Sequence, residues 1–146
     1  MKNKLDRNLP RKYPNIFKAE QGPGARVRLC FPFECDDGWY ALLDDLCSIL
    51  SVISKASGVR IRATQVKEKF GSLRFYTTLD GAYVKKDQKA WFSIIEDVIN
   101  HAEDRSSSAC EVCGAYGKLC SSKTGWLKTL CKKHFKERGY LENKSK

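Results

Sequence analysis

The chain has 146 residues, 42% apolar and 30% charged, and a formal net charge of +10. That length holds one compact core with a small appended module and excludes two independent cores, and no run approaches the roughly 18 to 20 apolar residues that span a bilayer. The basic N-terminus lacks the apolar run of a secretory signal, and seven cysteines, an odd number, suit reduced thiols and a metal better than a disulfide framework, so a cytoplasmic protein with no membrane contact is expected.

Charge is unevenly placed. Residues 1–28 have a balance of +6, residues 29–109 of −2 and residues 110–146 of +6. Basic ends around a slightly acidic middle fit contact with phosphates, and they also fit ordinary solvated, lysine-rich termini.

Residues 1–24 are polar, basic and interrupted by Pro10, Pro14 and Pro23, a pattern set against a persistent helix. A basic N-terminal arm over 1–28 is expected, with Tyr13, Ile16 and Phe17 as its hydrophobic anchor. Residues 27–33, β-prone around Pro32, read as an extended segment or edge strand at the start of an α+β core over 29–105.

Asp36 and Asp37, both able to accept hydrogen bonds from a helix start, precede the most periodic stretch of the chain. Trp39, Leu42, Leu43, Leu46, Ile49, Leu50 and Ile53 recur at three- and four-residue intervals and predict one apolar helix stripe. Asp44 and Asp45 fall on its opposite, solvated side, which disfavours reading them as a catalytic pair. Gly58 supplies the left-handed C-cap.

Residues 59–64 and 73–79 alternate apolar and polar, and Asp80-Gly81 is a hairpin signal into residues 82–84, so a three-stranded antiparallel meander is expected. Alternation breaks near Gln65-Val66-Lys67, where a bulge fits. Val59, Ile61, Leu73, Phe75 and Leu79 then cover the helix, while Arg60, Arg62, Arg74, Tyr76 and Thr78 share the other face. A second helix over 87–103 carries Trp91, Ile94, Ile95, Val98 and Ala102 as its stripe, with His101 half-exposed at the border.

Cys110-Glu-Val-Cys113 and Cys131-Lys-Lys-His134, with seventeen residues between the pairs, have the spacing of a structural zinc site. Cys110, Cys113, Cys131 and His134 are therefore expected to bind structural Zn2+ within a module over 106–146. Gly114 suits the tight turn that aims amides at metal-bound sulfur, and a helix over 130–138 would carry the second pair. Cys120 is the alternative fourth ligand. Cys30, Cys35 and Cys47 lack a partner to complete a second site and read as free thiols. The fold expected is α+β: helix, three-stranded antiparallel meander, helix, then a treble-clef-like zinc module.

Two surfaces are candidates for binding. Arg60, Arg62, Lys67, Arg74 and Tyr76 on the sheet face can clamp phosphates and stack a base; the bland alternative is an ordinary solvated face. Lys128, Lys132 and Lys133 lie at the zinc module, the last two at a helix N-terminus whose free amides can join them on a phosphate. No Walker loop, nucleophile elbow or H-E-x-x-H helix is present. For a restriction-type nuclease, Gln65-Val66-Lys67 is the nearest triplet and lacks an acidic partner in sequence.

The motifs Asp37-Gly-Trp-Tyr40, Gln65-Val-Lys-Glu-Lys-Phe-Gly-Ser-Leu-Arg-Phe-Tyr76 and the late Cys-x-x-Cys-Gly with Cys-x-x-His resemble, over roughly residues 35–135, a group of small, mostly uncharacterised bacteriophage and prophage proteins. The resemblance implies a phage-encoded protein acting in a bacterial cytoplasm, and no activity. The expected function is non-enzymatic binding of nucleic acid through basic surfaces. The alternatives are direct inhibition of a bacterial host defence or regulatory protein, and a metal-dependent nuclease.

Overall fold

The apolar stripe of residues 39–53 forms the helix predicted for it, and the rest of the core packs around it. In the computed structural model, which describes residues 4–17, 33–81 and 87–142, a 3-10 turn at Asp37–Trp39 leads into α3 (Tyr40–Ser57). Gly58 closes α3 in the left-handed conformation, its amide donating to Ser54 O at 3.1 Å. Trp39, Leu43, Leu46 and Leu50 are buried, whereas Ile49 is half-exposed. Asp36 makes no side-chain cap on the turn that follows it. Asp37 instead accepts the amide of Leu5, 3.1 Å away, and so secures a different element.

That element corrects the expected arm. Residues 4–17 form α1 (Lys4–Lys12) and α2 (Pro14–Phe17), despite Pro10 inside α1. An interior proline costs about 3 kcal/mol, yet each fully buried leucine or isoleucine returns about 2 kcal/mol. Leu5, Leu9 and Ile16 are fully buried, and Tyr13 and Phe17 nearly so. Burial wins over local propensity. The expected anchor of Tyr13, Ile16 and Phe17 is present and is one part of a larger docked face. Of the extended segment expected over 27–33, residues 27–32 lie outside the described residues and Phe33 is buried in the core.

β1 (Arg60–Lys69) and β2 (Ser72–Asp80) pair antiparallel, with a bulge between Ala63 and Gln65. The bulge swaps faces, so Ile61, Ala63 and Val66 all point inward with Leu73 and Phe75. The described sheet has two strands; the third, expected at 82–84, lies outside the described residues. Both edges of the ribbon are covered. Glu34 bridges the outer edge of β1 through its amide to Val66 O and its carbonyl to the Glu68 amide. Along β2, the amides of Leu73 and Phe75 donate to Ser106 Oγ and Glu103 Oε1, both at 2.8 Å, from α4 (Gln88–Ser106). In α4, Ile95, Ile99 and Ala102 are buried and Ile94 is not.

A second small sheet, in the order β4-β3-β5, contains β3 (Lys118–Ser121), β4 (Leu127–Leu130) and β5 (Leu141–Glu142), with α5 (Lys132–Glu137) between the last two in sequence. The helix expected over 130–138 is thus shorter at both ends, because Leu130 belongs to β4. Close contacts lock this unit to the core. The amide of Gly38 donates to Glu111 O at 2.8 Å, the indole of Trp39 to Ala109 O at 2.9 Å, and Thr129 Oγ1 to Gly71 O at 2.6 Å.

Candidate metal centre

Four side chains from two turns meet at the end of this unit. Cys110 and Cys113 come from a knuckle in which the Cys110 amide donates to Ala115 O and the Gly114 amide to Cys110 O, at 2.7 and 2.8 Å. The β3–β4 hairpin then returns the chain so that Cys131 caps α5 and His134 lies in its first turn. His134 Nδ1 stands 3.4 Å from Cys110 Sγ and 3.3 Å from Cys131 Sγ, and Cys113 Sγ stands 3.8 Å from Cys131 Sγ. All four donor atoms lie within 4.8 Å of one another and can hold one metal ion. Cys120 is not among them: it is buried in the small core with Leu130, its Sγ toward Lys118 O at 3.2 Å.

Backbone amides prepare one of the sulfurs, while burial raises the Cys113 thiol. The His134 amide, followed by that of Lys133, pulls the Cys131 thiol down to about 6 from its usual 9.0, against the opposing effect of desolvation. Those amides were the ones expected to grip phosphate beside Lys132 and Lys133. In the structure the same amides act on the Cys131 sulfur. Cys35 and Cys47, by contrast, are buried thiols whose acidity burial suppresses.

Glu111, between the first two donors in sequence, was not singled out from the sequence, and it is nearly fully buried. Its Oε1 accepts the Asp36 amide at 3.2 Å and its Oε2 meets Lys128 Nζ at 2.5 Å. Desolvation raises its carboxyl above the usual range, with Lys128 opposing. The second residue missed is Gly38: a Cβ there would stand about 2.5 Å from Cys110 O and Cys113 N, and closer still to Glu111 O. An acid between two ligands, and a glycine before a buried tryptophan, were the available signals.

The expected binding residues separate into two groups. Lys132 and Lys133 are exposed on α5, where Lys133 Nζ approaches Glu137 Oε1 at 4.0 Å. The others are tied into the core or the hairpins: Lys128 pairs with Glu111, Arg60 with Asp80 at 3.1 Å and Arg74 with Glu103 at 3.5 Å, while Lys67 Nζ sits 5.4 Å over the Tyr76 ring. Arg62 is half-buried on the same sheet face, and His101 is exposed on α4. Near Gln65-Val66-Lys67, the structure brings the Glu34 carboxylate to Gln65 Nε2 at 2.8 Å. One carboxylate held in that way does not make the paired acidic set that magnesium chemistry requires.

A scan against protein-family models, a search of curated proteins and a search of solved structures each found no match. Among the described residues no helix is long and apolar enough to cross a membrane.

Proposed function

We propose that the chain is a zinc-stabilised, non-enzymatic binder of nucleic acid, in which a treble-clef-like knuckle, hairpin and helix present lysines to phosphates. Zinc is the metal favoured by the donor set. A tetrahedron with sulfur at about 2.3 Å and nitrogen at about 2.0 Å has sulfur–sulfur edges of about 3.8 Å and slightly shorter sulfur–nitrogen edges. The spacings of 3.8, 3.4 and 3.3 Å follow that order. With all four positions taken by protein, such an ion supports a fold and leaves no place for an activated water.

The observation that carries the binding reading is the lysine-rich outer side of the metal unit. Lys118, Lys123, Lys132, Lys133 and Lys136 are all exposed there, while Lys128, the one turned inward, is neutralised by Glu111. Affinity for DNA or RNA should fall steeply with salt, by a slope of about 0.9 in log–log terms for each duplex phosphate contact. Replacing both Lys132 and Lys133 by alanine should flatten that slope by about 1.8 without lowering Tm. An unchanged slope would remove α5 from the interface.

An apolar groove of about 280 Å3 between α3 and α4, with Ile49 and Ile94 exposed along it, supports a bacterial host protein as the second reading. Salt-tolerant capture of one such protein, lost in Ile94→Asp and retained in the lysine variants, would favour it. The phage-type motifs support a bacterial cytoplasm as the setting for either reading.

A further inference from the structure

The tips of the two hairpins meet, and each displays an exposed aromatic ring. Phe70 is 67% and Trp126 72% exposed. They share a cleft of about 340 Å3 that also borders Glu68, Lys69 and Gly125. Their meeting is built in. Thr129 Oγ1 holds Gly71 O, and the Gly71 Cα lies so close to Leu119 that a Cβ would run into Cδ1.

Phe70 is a poor residue for its position. Lys69 pairs with Ser72, so Phe70 and Gly71 are the two turn residues, with φ of 54° and 81°. A two-residue turn with both φ positive selects Asn-Gly, and a bulky residue in this region is strained. Little burial compensates, since most of the ring faces solvent. Strain held without packing gain is a mark of function. Across the cleft, Ser122 Oγ accepts the Thr124 and Trp126 amides at 3.3 and 3.0 Å, and the Ser122 amide donates to Trp126 O at 2.8 Å. Trp126 is therefore displayed from a rigid turn with its ring outward.

The surrounding charge is basic. Lys69 Nζ lies 5.2 Å from the Phe70 ring centroid, and Lys123 is exposed in the Trp126 turn. Glu68 is occupied by the Gly71 amide, 2.7 Å away. Two exposed aromatic rings bordering one cleft, with lysines close by, suit flat, π-faced groups joined by phosphates. We propose that Phe70 and Trp126 form a clamp on which unpaired bases of a single-stranded nucleic acid stack, with Lys69 and Lys123 on the adjoining phosphates. This rests on the nucleic-acid reading above and gives it a strand type and a site.

The test uses the full-length, metal-loaded protein with labelled oligothymidylate, labelled oligouridylate and a mixed-sequence duplex at fixed salt. Wild type should bind the single strands more tightly than the duplex, with quenching of Trp126 fluorescence, and the two oligomers distinguish DNA from RNA preference. Trp126→Ala should weaken single-strand binding about tenfold and Trp126→Tyr much less. Phe70→Asn should raise Tm by relieving the turn and still weaken binding, a combination that a purely structural ring does not produce. Equal binding of single strand and duplex, or full binding by Trp126→Ala and Phe70→Asn, overturns the clamp and leaves the broader reading standing. Failure of wild type to bind any of the three overturns both.

Discussion

Gly38 and Glu111 decide whether the metal unit sits on the core. The Gly38 amide reaches Glu111 O, and the backbone of Cys110, Glu111 and Cys113 fills the space a side chain would need. Backbone atoms cannot swing aside as a flexible side chain can, so Gly38→Ala should cost about 3 kcal/mol in urea unfolding and lower bound metal. Glu111 poses a second question, since its buried carboxylate faces Lys128. Removing only the lysine leaves a buried charge unmatched, so Lys128→Met should lose about 3 kcal/mol near neutral pH. Glu111→Gln combined with Lys128→Met should recover most of it, because the glutamine oxygen still accepts the Asp36 amide. The pH dependence has a definite sign. Burial raises the Glu111 carboxyl above its usual 4.5, so the folded state binds this proton more readily than the unfolded chain, and stability from this group falls as pH rises through the interval between the two values. Without Lys128 that interval extends upward. The deficit of Lys128→Met should therefore shrink as pH is lowered toward 4.5; a deficit equal at pH 5 and pH 8 would show that Glu111 does not carry it.

At the scale of elements, legibility followed periodicity. The α3 stripe ran long enough to be read, as did the alternation of β1 and β2 and the break that became their bulge. The four candidate metal donors were readable because short ligand spacings survive any fold. α1 was not readable, because Pro10 and the basic residues around it speak locally against a helix while its reason to form lies elsewhere. That reason is the surface of α3: Lys12 Nζ meets Asp44 at 2.7 Å, and the Tyr13 hydroxyl donates to Asp44 Oδ1 at 2.9 Å. Only two apolar residues, Leu5 and Leu9, mark the inward face of α1, too few to outweigh proline on inspection. The same imbalance yields a prediction. If tertiary burial alone holds α1, Leu9→Ala should destabilise the whole domain by about 3 kcal/mol in denaturant unfolding; a loss under about 1 kcal/mol, the level of a surface site, would mean that residues 4–12 detach without consequence.

Over the whole molecule, the two sheets share no strand, yet the core and the metal unit are joined at separate points in the sequence. Gly38 and Trp39 grip residues 109–111, Gly71 is held by Thr129, and Arg138 reaches Asp36 at 3.1 Å. These ties explain why motifs far apart in the chain, Asp37-Gly-Trp and Lys69-Phe-Gly, occur together: both form the seat of the metal unit. A module tethered only by a linker would lose metal and melt alone, leaving α3, α4 and the ribbon unchanged. Here Ala109, at the base of the candidate metal knuckle, supplies the acceptor for a fully buried tryptophan, so release of that segment leaves the indole of Trp39 without a partner and opens one side of the core. Metal removal by a strong chelator should then lower the Tm of the entire chain in a single transition, followed identically by helix signal and by tryptophan fluorescence, and zinc should restore it. Two separated transitions, with the helix signal of α3 and α4 persisting at its original midpoint, would instead show that core and metal unit fold independently.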